Sequence, residues 1–364
     1  MRNRGFILKK YQIKEVKEIY NHAGSKAVED VCVFAGEAGY ETLFIRQRAK
    51  DTGFFTLVWN QLGFLIDWIK VLWKVEKGSI VFVQNPFKRK HLGRFTILKQ
   101  LKKLKKCNII SLVHDIEELR VSYYRDYSTT EFEFMKSNSD YFIIHNSCMK
   151  EYMIERGFDE ESLVELGIFD YGYEADTGDS KEDKPEAADV VIAGNLELQK
   201  CPYIYKIPNL MNRFSLKLYG PNYEKDIQDE YIEYCGSFPS EEVPRVLNGR
   251  FGLIWDGDGT HTCTGDTGRY LRYNNPHKTS LYLVAEIPII IWEKAALASF
   301  VTENGLGITV GSLEDIKSKL QAISEDDYAK MVANVKNMAS KLRSGYHVKQ
   351  ALVECEKRIE DRSL

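Results

Sequence analysis

Between Trp255 and Ser280 the chain carries its densest set of chemically able residues: Trp255-Asp256-Gly257-Asp258-Gly259, then Asn274-Asn275-Pro276-His277-Lys278-Thr279-Ser280. The apolar run Phe251–Trp255 reads as a strand. A loop holding Gly257, Gly259, Gly265 and Gly268 leads from it to a helix over His277–Ala285. Glycines let a backbone approach a ligand closely, and the first turn of a helix presents unpaired N–H groups to an anion. Lys278 adds a mobile cation there, and Thr279 or Ser280 a hydroxyl. His277 and Lys278 oppose the helix dipole, so without an anion they should reduce stability. The pattern predicts a diphosphate site, and hence a nucleotide or nucleotide-sugar ligand. The plain alternative is a surface loop and an ordinary helix start, where Pro276 is a normal residue near the first turn.

Further polar groups stand where strands are expected to end. Gly194-Asn195-Leu196, with Lys200 close behind, follows the run Val190–Ala193. Leu218-Tyr219-Gly220-Pro221 and Tyr234-Cys235-Gly236-Ser237-Phe238 end the next two strands. Each alone is a plain turn after a strand. Together with Asp256–Gly259 they would line one rim of a sheet, offering Asn195, Lys200, Tyr219 and Ser237 to a nucleotide. In Ser111-Leu112-Val113-His114-Asp115-Ile116, a His and an Asp end a buried strand. His114 or Asp115 could serve as general base or orient a substrate hydroxyl; a packed His beside a capping Asp is the alternative. Asn21-His22-Ala23-Gly24-Ser25-Lys26 and Gln84-Asn85-Pro86 would face that rim too. Gly24, Ser25, Lys26 and Gln84 are candidate contacts to a sugar or phosphate, although Ser25 could simply cap a helix.

These groups need a scaffold of alternating strands and helices. The first half offers strands at Glu41–Ile45, Ser79–Gln84, Asn108–His114, Tyr141–His145 and Leu163–Leu166, with a helix over Ala27–Gly39. An acidic stretch, Tyr171–Ala188, is nearly free of aliphatic residues and reads as a linker or exposed excursion. Strands then restart at Val190–Ala193, Ser215–Tyr219, Glu233–Gly236, Phe251–Trp255, Pro288–Trp292 and Gly307–Val310. Helices are expected over Ser240–Leu247, His277–Ala285 and Ala295–Asn304, with a long helical tail from Leu313. The alternation predicts an α/β protein of two doubly wound parallel-sheet domains, whose ligands sit beyond the carboxyl ends of the strands.

At 364 residues, two domains fit the length. A formal net charge of −3 supplies no bulk attraction to nucleic acid, so no nucleic-acid partner is expected. The seven cysteines are scattered and lack Cys-x-x-Cys spacing, which fits reduced thiols in the cytoplasm and neither a disulfide framework nor a zinc site. Met1–Lys10 is basic without a long apolar core, so no secretory leader is expected. Phe54–Trp73 is apolar but interrupted by Asn60, Gln61, Asp67 and Lys70; it reads as a buried helix, with a membrane-surface helix as the alternative. The basic segment Lys88–Lys106 reads as a solvated helix face, with peripheral contact to an anionic membrane as the alternative. Asp256, Asp258 and Asp266 could bind Mg²⁺, yet their loop also carries the phosphate donors, so no metal is implied.

At these residues the chain resembles the GT-B glycosyltransferases. Within them it is similar to the bacterial branch of β-1,6-galactofuranosyltransferases and of glucosyltransferases that extend GlcNAc on serine-rich-repeat adhesins. The resemblance lies in NHAGSKAVEDV, LVHDIEELR, GNL, the long FGLIWDGDGTHTCTGDTGRYLRYNNPHKTSLYLVAEIPIII and the following AALASFV. It implies two Rossmann-like domains facing a cleft, residues 1–175 and 188–342, with 343–364 returning to the first. It further implies a UDP-sugar donor bound by the second domain without an obligatory metal or other cofactor, and an acceptor approaching from the first. Carried over, Lys278 and Asn275 would hold the diphosphate. Asn195 and Asp256–Gly259 would line the donor pocket, and His114 and Asp115 would lie near the reacting carbon. Asn274, His277 and Thr279, read from the residues themselves, are further donor-binding candidates. Two positions depart: Leu281 stands where many GT-B enzymes have a ribose-binding Glu, and Glu286 where this branch often has Gly.

The expected activity is transfer of a galactofuranose, glucose or galactose unit to a sugar hydroxyl of a glycan or glycoprotein. A nucleotide-sugar epimerase would instead convert its ligand with no acceptor present. A non-catalytic nucleotide-binding partner of another glycosyltransferase would bind UDP and turn over only with that partner. Inverting or retaining stereochemistry and a homo-oligomeric state stay open at this level.

Overall fold

The apolar runs become strands of two parallel sheets, six strands in each, in a computed structural model. The structure describes residues 8–16, 23–50, 52–87, 89–120, 125–174, 187–224 and 229–362. The first sheet holds β1 (Lys10–Val16), β2 (Glu41–Arg46), β3 (Ile80–Asn85), β4 (Asn108–Val113), β5 (Tyr141–Ile144) and β6 (Leu163–Glu165), in the order β2-β1-β3-β4-β5-β6. The second holds β7 (Ala188–Ala193), β8 (Leu216–Tyr219), β9 (Ile232–Gly236), β10 (Gly249–Ile254), β11 (Ile289–Trp292) and β12 (Gly307–Val310), in the order β12-β11-β10-β7-β8-β9.

Every expected strand is present. The added one is β1, an internal strand whose sequence KYQIKEV alternates charged and apolar residues and so lacks a buried-strand signature. Its buried Gln12 is satisfied by donation to the Cys32 carbonyl (2.8 Å) and Thr42 Oγ1 (3.0 Å). In each sheet the chain runs outward on one side of its starting strand, then crosses to the other. The crossings lie between β1 and β3 and between β7 and β10, the points where open α/β sheets bind ligands.

Three helical expectations shift. The first helix spans Ala23–Glu37, so Gly24, Ser25 and Lys26 belong to its first turns rather than to a preceding loop. Asn21 and His22 lie outside the described residues. Ser240–Leu247 contracts to Val243–Val246, and Ala295–Asn304 to Ala298–Glu303. The tail is three helices, Ile316–Ala322, Glu325–Arg343 and Tyr346–Asp361. Most of the acidic segment lies outside the described residues, but its first residue is anchored: Tyr171 is buried and donates to the Ser240 carbonyl at 2.9 Å.

Phe54–Lys74 is a helix but not a buried one. Asn60, Phe64, Asp67, Trp68 and Val71 face the sheet, while Phe55, Trp59 and Trp73 are 86%, 61% and 81% exposed. The reason is position: the helix packs on the edge strand β2, and among the described residues no second layer covers its outer side. No described helix is long and apolar enough to cross a membrane.

The last helix, Tyr346–Asp361, returns to the first sheet, where Val348, Leu352, Cys355 and Ile359 share a core with Val31, Phe34, Ile110 and Leu112. Its start is capped from outside: the buried Asp170 carboxylate accepts the His347 and Val348 amides at 3.2 and 2.7 Å. Asp170→Ala removes the cap and leaves a buried amide unpaired, so urea unfolding should show a loss of about 1–3 kcal/mol. Unchanged stability would remove this cap from the account of how the helix docks.

Candidate active site

The carboxyl ends of β7 and β10 open the second sheet's crossing point. Past β7 the backbone turns at Gly194 with φ 141°, and a Cβ there would lie 3.0 Å from Lys278 Cε. The absent side chain is the space through which Lys278 passes. Beyond β10 the loop closes on itself: Trp255 Nε1 donates to the Gly259 carbonyl at 2.8 Å, and Lys206 Nζ to the Asp258 carbonyl at 2.6 Å. Gly257 has φ 93°, and a Cβ on it would sit 1.8 Å from the Thr264 carbonyl oxygen. The glycine at 257 is therefore required by the loop's own packing, not by a ligand's approach.

Lys278 is enclosed. Burial works against its charge, but Asp256, with Cys201 and Tyr282, more than offsets this and holds the ammonium above its ordinary pKa. The protein thus supplies an internal anion for a first-turn lysine that the sequence alone left unbalanced. Burial lifts the Asp256 carboxyl, while Lys278 and then Arg120 pull it down. Arg120 belongs to the other sheet's side, where it pairs with Asp115 at 2.8 Å. Charges of alternating sign, Asp115, Arg120, Asp256 and Lys278, thereby link the two rims.

On the first rim, Gln84 donates to the Val28 carbonyl and Cys32 Sγ, so its Oε1 accepts from His114 Nε2 at 2.6 Å. This fixes the proton on Nε2 and makes Nδ1 the basic nitrogen of His114. The ring lies flat against Phe169, at 5.4 Å between centroids. Asp115 uses both oxygens, one for Arg120 and one for the Tyr270 hydroxyl at 3.1 Å. Tyr270 also accepts from the Ile116 amide at 3.0 Å. Burial raises the Asp115 pKa, with Arg120 opposing. Asp115 is a strut between domains more than an open base.

Several expected ligand contacts are committed elsewhere. Asn275 donates to the His145 and Gly167 carbonyls at 2.8 and 3.0 Å, its Oδ1 accepts from Asn146 at 2.7 Å, and its amide donates to His145 Nδ1 at 2.9 Å. With every polar side-chain atom used, Asn275 clamps the sheets together and is not free for a diphosphate. Thr279 is fully buried, its Oγ1 without a partner among the described residues, and Ser280 donates to the Phe169 carbonyl at 2.6 Å. Tyr219 is buried, its hydroxyl accepting from the Asn248 amide at 3.2 Å. Asn195 folds over its own turn, accepting from the Glu197 amide and Asn222 Nδ2. Lys200 pairs with Glu197, Ser237 is exposed beyond β9, and Asp258 and Gly259 stay on the loop beside the crevice.

His277 stacks on Tyr171 at 5.0 Å. Burial, helped by Lys26, pushes its pKa down to about 4, so it is neutral at pH 7 and does not oppose the dipole. Lys26 itself pairs with Asp30 and donates to the Gly172 carbonyl at 2.6 Å. Asn274 keeps a buried Oδ1, and His277 a buried Nε2, without a partner among the described residues. Among those residues no cluster of three His, Cys, Asp or Glu could hold a metal ion. Asp266 pairs instead with Arg269. The residues that sequence reasoning missed are Arg120, Tyr270, His145 and Asn146. Arg120 was within reach, five positions beyond Asp115, but its role depends on a partner from the other sheet.

Family profiles described as Glucosyltransferase 3-like, N-terminal domain and C-terminal domain match residues 10–168 and 190–355. The chain belongs to the glucosyltransferase 3-like family. It is a glycosyltransferase with the GT-B fold. The β-1,6-galactofuranosyltransferase WbbI of Escherichia coli (strain K12) is 35% identical over 260 residues, 71% of this chain and 74% of WbbI. Glucosyltransferase 3 of Streptococcus gordonii is 26% identical over 340 residues, 88% of this chain and 95% of its own. The structure of Anabaena HepE with UDP and glucose superposes with a TM-score of 0.58 at 10% identity, covering 96% and 99% of the two chains, which bears on fold alone.

Three histidines of this glycosyltransferase, His145, His277 and His347, have pKa values lowered by burial from 6.5 to about 4. At these three rings the folded state therefore binds fewer protons than the unfolded chain between about pH 4 and 6.5. Their contribution to stability is complete above about 6.5 and is lost as pH falls toward about 4. Urea midpoints should drop between pH 7.5 and 5. In His145→Gln that drop should shrink, by up to about 1.4 kcal/mol per pH unit. Because Asp170, raised by burial to about 7, works in the opposite direction, the variant is the test: a drop equal in His145→Gln and wild type would overturn the burial of that ring.

Proposed function

We propose that the enzyme transfers a hexose from a UDP-sugar to a hydroxyl of a sugar on a glycan or glycoprotein. The observation that carries this reading is Lys278, held charged at the start of helix His277–Val284 over the β7/β10 crossing, with Arg120 and His114 on the opposite rim. The relatives named above differ in the sugar they are named for, galactofuranose or glucose. Hexose is the class they share. The UDP and UDP-glucose bound in the HepE structures support a uridine donor.

In this reading the donor diphosphate lies against Lys278 and the first-turn amides, and Arg120 adds a cation from the acceptor side. The acceptor oxygen forms a bond to the sugar's anomeric carbon as the bond to the diphosphate oxygen breaks, and UDP leaves with the electron pair. Preorganised cations in a poorly solvated cleft favour that developing charge. In an inverting displacement the hydroxyl proton passes to His114 Nδ1, with Gln84 holding the ring in the required tautomer. Asp115 positions Arg120 and Tyr270 and stays out of the proton transfer.

Lys278→Ala should lower kcat for sugar transfer at least about tenfold, and on the order of a hundredfold if the full charged contact is lost. Release of UDP from UDP-glucose, UDP-galactose and UDP-galactofuranose in the presence of a GlcNAc-terminated acceptor measures it. Unchanged turnover would remove the diphosphate from Lys278. In thermal-shift assays UDP should stabilise the protein and GDP should not; the reverse order would overturn the choice of donor.

A further inference from the structure

The helix Phe54–Lys74 presents an apolar surface that neither its own sheet nor the proposed transfer reaction uses. Phe55, Trp59, Leu62, Ile66, Ile69 and Trp73 are 86%, 61%, 47%, 50%, 40% and 81% exposed. They recur at the spacing of one helical face, opposite the residues that pack on the sheet. The loop after β3 extends this surface: Gln61 donates to the Lys90 carbonyl at 2.9 Å and accepts from the Leu92 amide at 2.8 Å, placing Leu92, 49% exposed, beside the helix. A contiguous apolar face of this kind marks an interaction surface rather than scattered exposure.

The charge around it is predominantly positive, with the exposed Glu41, paired with Lys74, and Glu76 as the acidic exceptions. Residues 46–106 contain fifteen Lys and Arg against three Asp and Glu (Asp51, Asp67 and Glu76), in a chain whose net charge is −3. Asp67 is buried against Arg48. Arg46, Lys50, Lys70 and Lys90 are exposed around the helix, and Lys99, Lys103 and Lys106 are exposed on or just beyond the adjoining helix Arg94–Lys103. A second copy of this chain would bring the same cations to meet themselves. An anionic lipid surface complements both features, taking the aromatic face into the headgroup region and the lysines onto phosphates.

We propose that this helix docks the enzyme, lying flat, on an anionic membrane surface. The helix follows the carboxyl end of β2, so its aromatic start, Phe54 and Phe55, lies on the same rim of the sheet as Gln84 and His114. Docking therefore holds the acceptor side of the cleft at the lipid boundary. This inference does not depend on which donor or acceptor is used.

Flotation of the full-length protein with phosphatidylglycerol/phosphatidylcholine vesicles, and with phosphatidylcholine alone, tests it. The wild-type protein should float with the anionic vesicles, and less so as salt is raised. The combined variant Phe55→Glu, Trp59→Glu, Trp73→Glu should lose at least about tenfold in partitioning. The urea-unfolding midpoint of the variant, read in parallel, should match that of the wild-type protein, confirming that it is folded. Wild-type protein that stays unbound at low salt, or a variant that floats equally well, overturns the proposal. So does wild-type protein that self-associates without floating while the variant is monomeric by sedimentation equilibrium; the face would then belong to a second copy.

Discussion

The cleft depends on one buried polar joint. Asn275, two residues before the helix His277–Val284, is bonded through its side chain to His145, Gly167 and Asn146, and through its amide to His145 Nδ1. His145 Nε2 is bonded in turn to the Val113 carbonyl at 2.9 Å, so the joint reaches the end of β4, next to His114. A buried network with every member satisfied admits few alternative geometries, because any slip strands a polar group in a low dielectric. The start of the helix His277–Val284 is thereby registered against the strand ends of the first sheet. Catalytic groups on two sheets can work together only if something fixes that register.

The charges across the cleft follow from the same enclosure. Lys278, Asp256, Arg120 and Asp115 alternate in sign between the rims, so the half-buried Lys278 and the more exposed Arg120 each have a carboxylate to face before any ligand arrives. A buried charge without a partner would be strongly destabilising. The pairing removes the penalty that a first-turn lysine otherwise implies. It also means that the stability of Lys278 in place is no longer by itself a reason to expect a phosphate. That expectation rests on the lysine's position at the crossing of the sheet, at a helix N-terminus and opposite Arg120.

The strands were legible because their apolar runs are short and rich in β-branched residues, several ending at a glycine such as Gly194, Gly220 or Gly236, and the position of the β10 loop followed from them. β1 was not, since its polar residues are satisfied only by tertiary partners such as the Cys32 carbonyl. Sequence could find the polar residues near the second domain's helix start but could not divide them between ligand and interface. Asn275, Thr279 and Ser280 have the right types for a phosphate and instead meet, or are buried against, the protein. Arg120 and Tyr270 were invisible as a pair because 150 positions separate them and only domain packing joins them through Asp115. The helix Phe54–Lys74 was misjudged for a related reason: composition tells how apolar a helix is, not whether a second layer covers it.

The two departures from the family pattern have different physical weight. Glu286 adopts φ 60°, a left-handed backbone in which glycine avoids a penalty of about 1 kcal/mol. Its neighbourhood offsets this: Arg343, from the helix Glu325–Arg343, donates to the Val284 carbonyl at 2.5 Å and reaches Glu286 at 3.4 Å. A cation at a helix C-terminus is favourable on dipole grounds, so the non-glycine residue gains a partner where it would only add strain. Leu281 has no such compensation. It packs partly against the second sheet's core and brings no polar atom to the crevice. The first departure is absorbed by the fold; the second replaces a polar side chain by an apolar one that the core takes up in part.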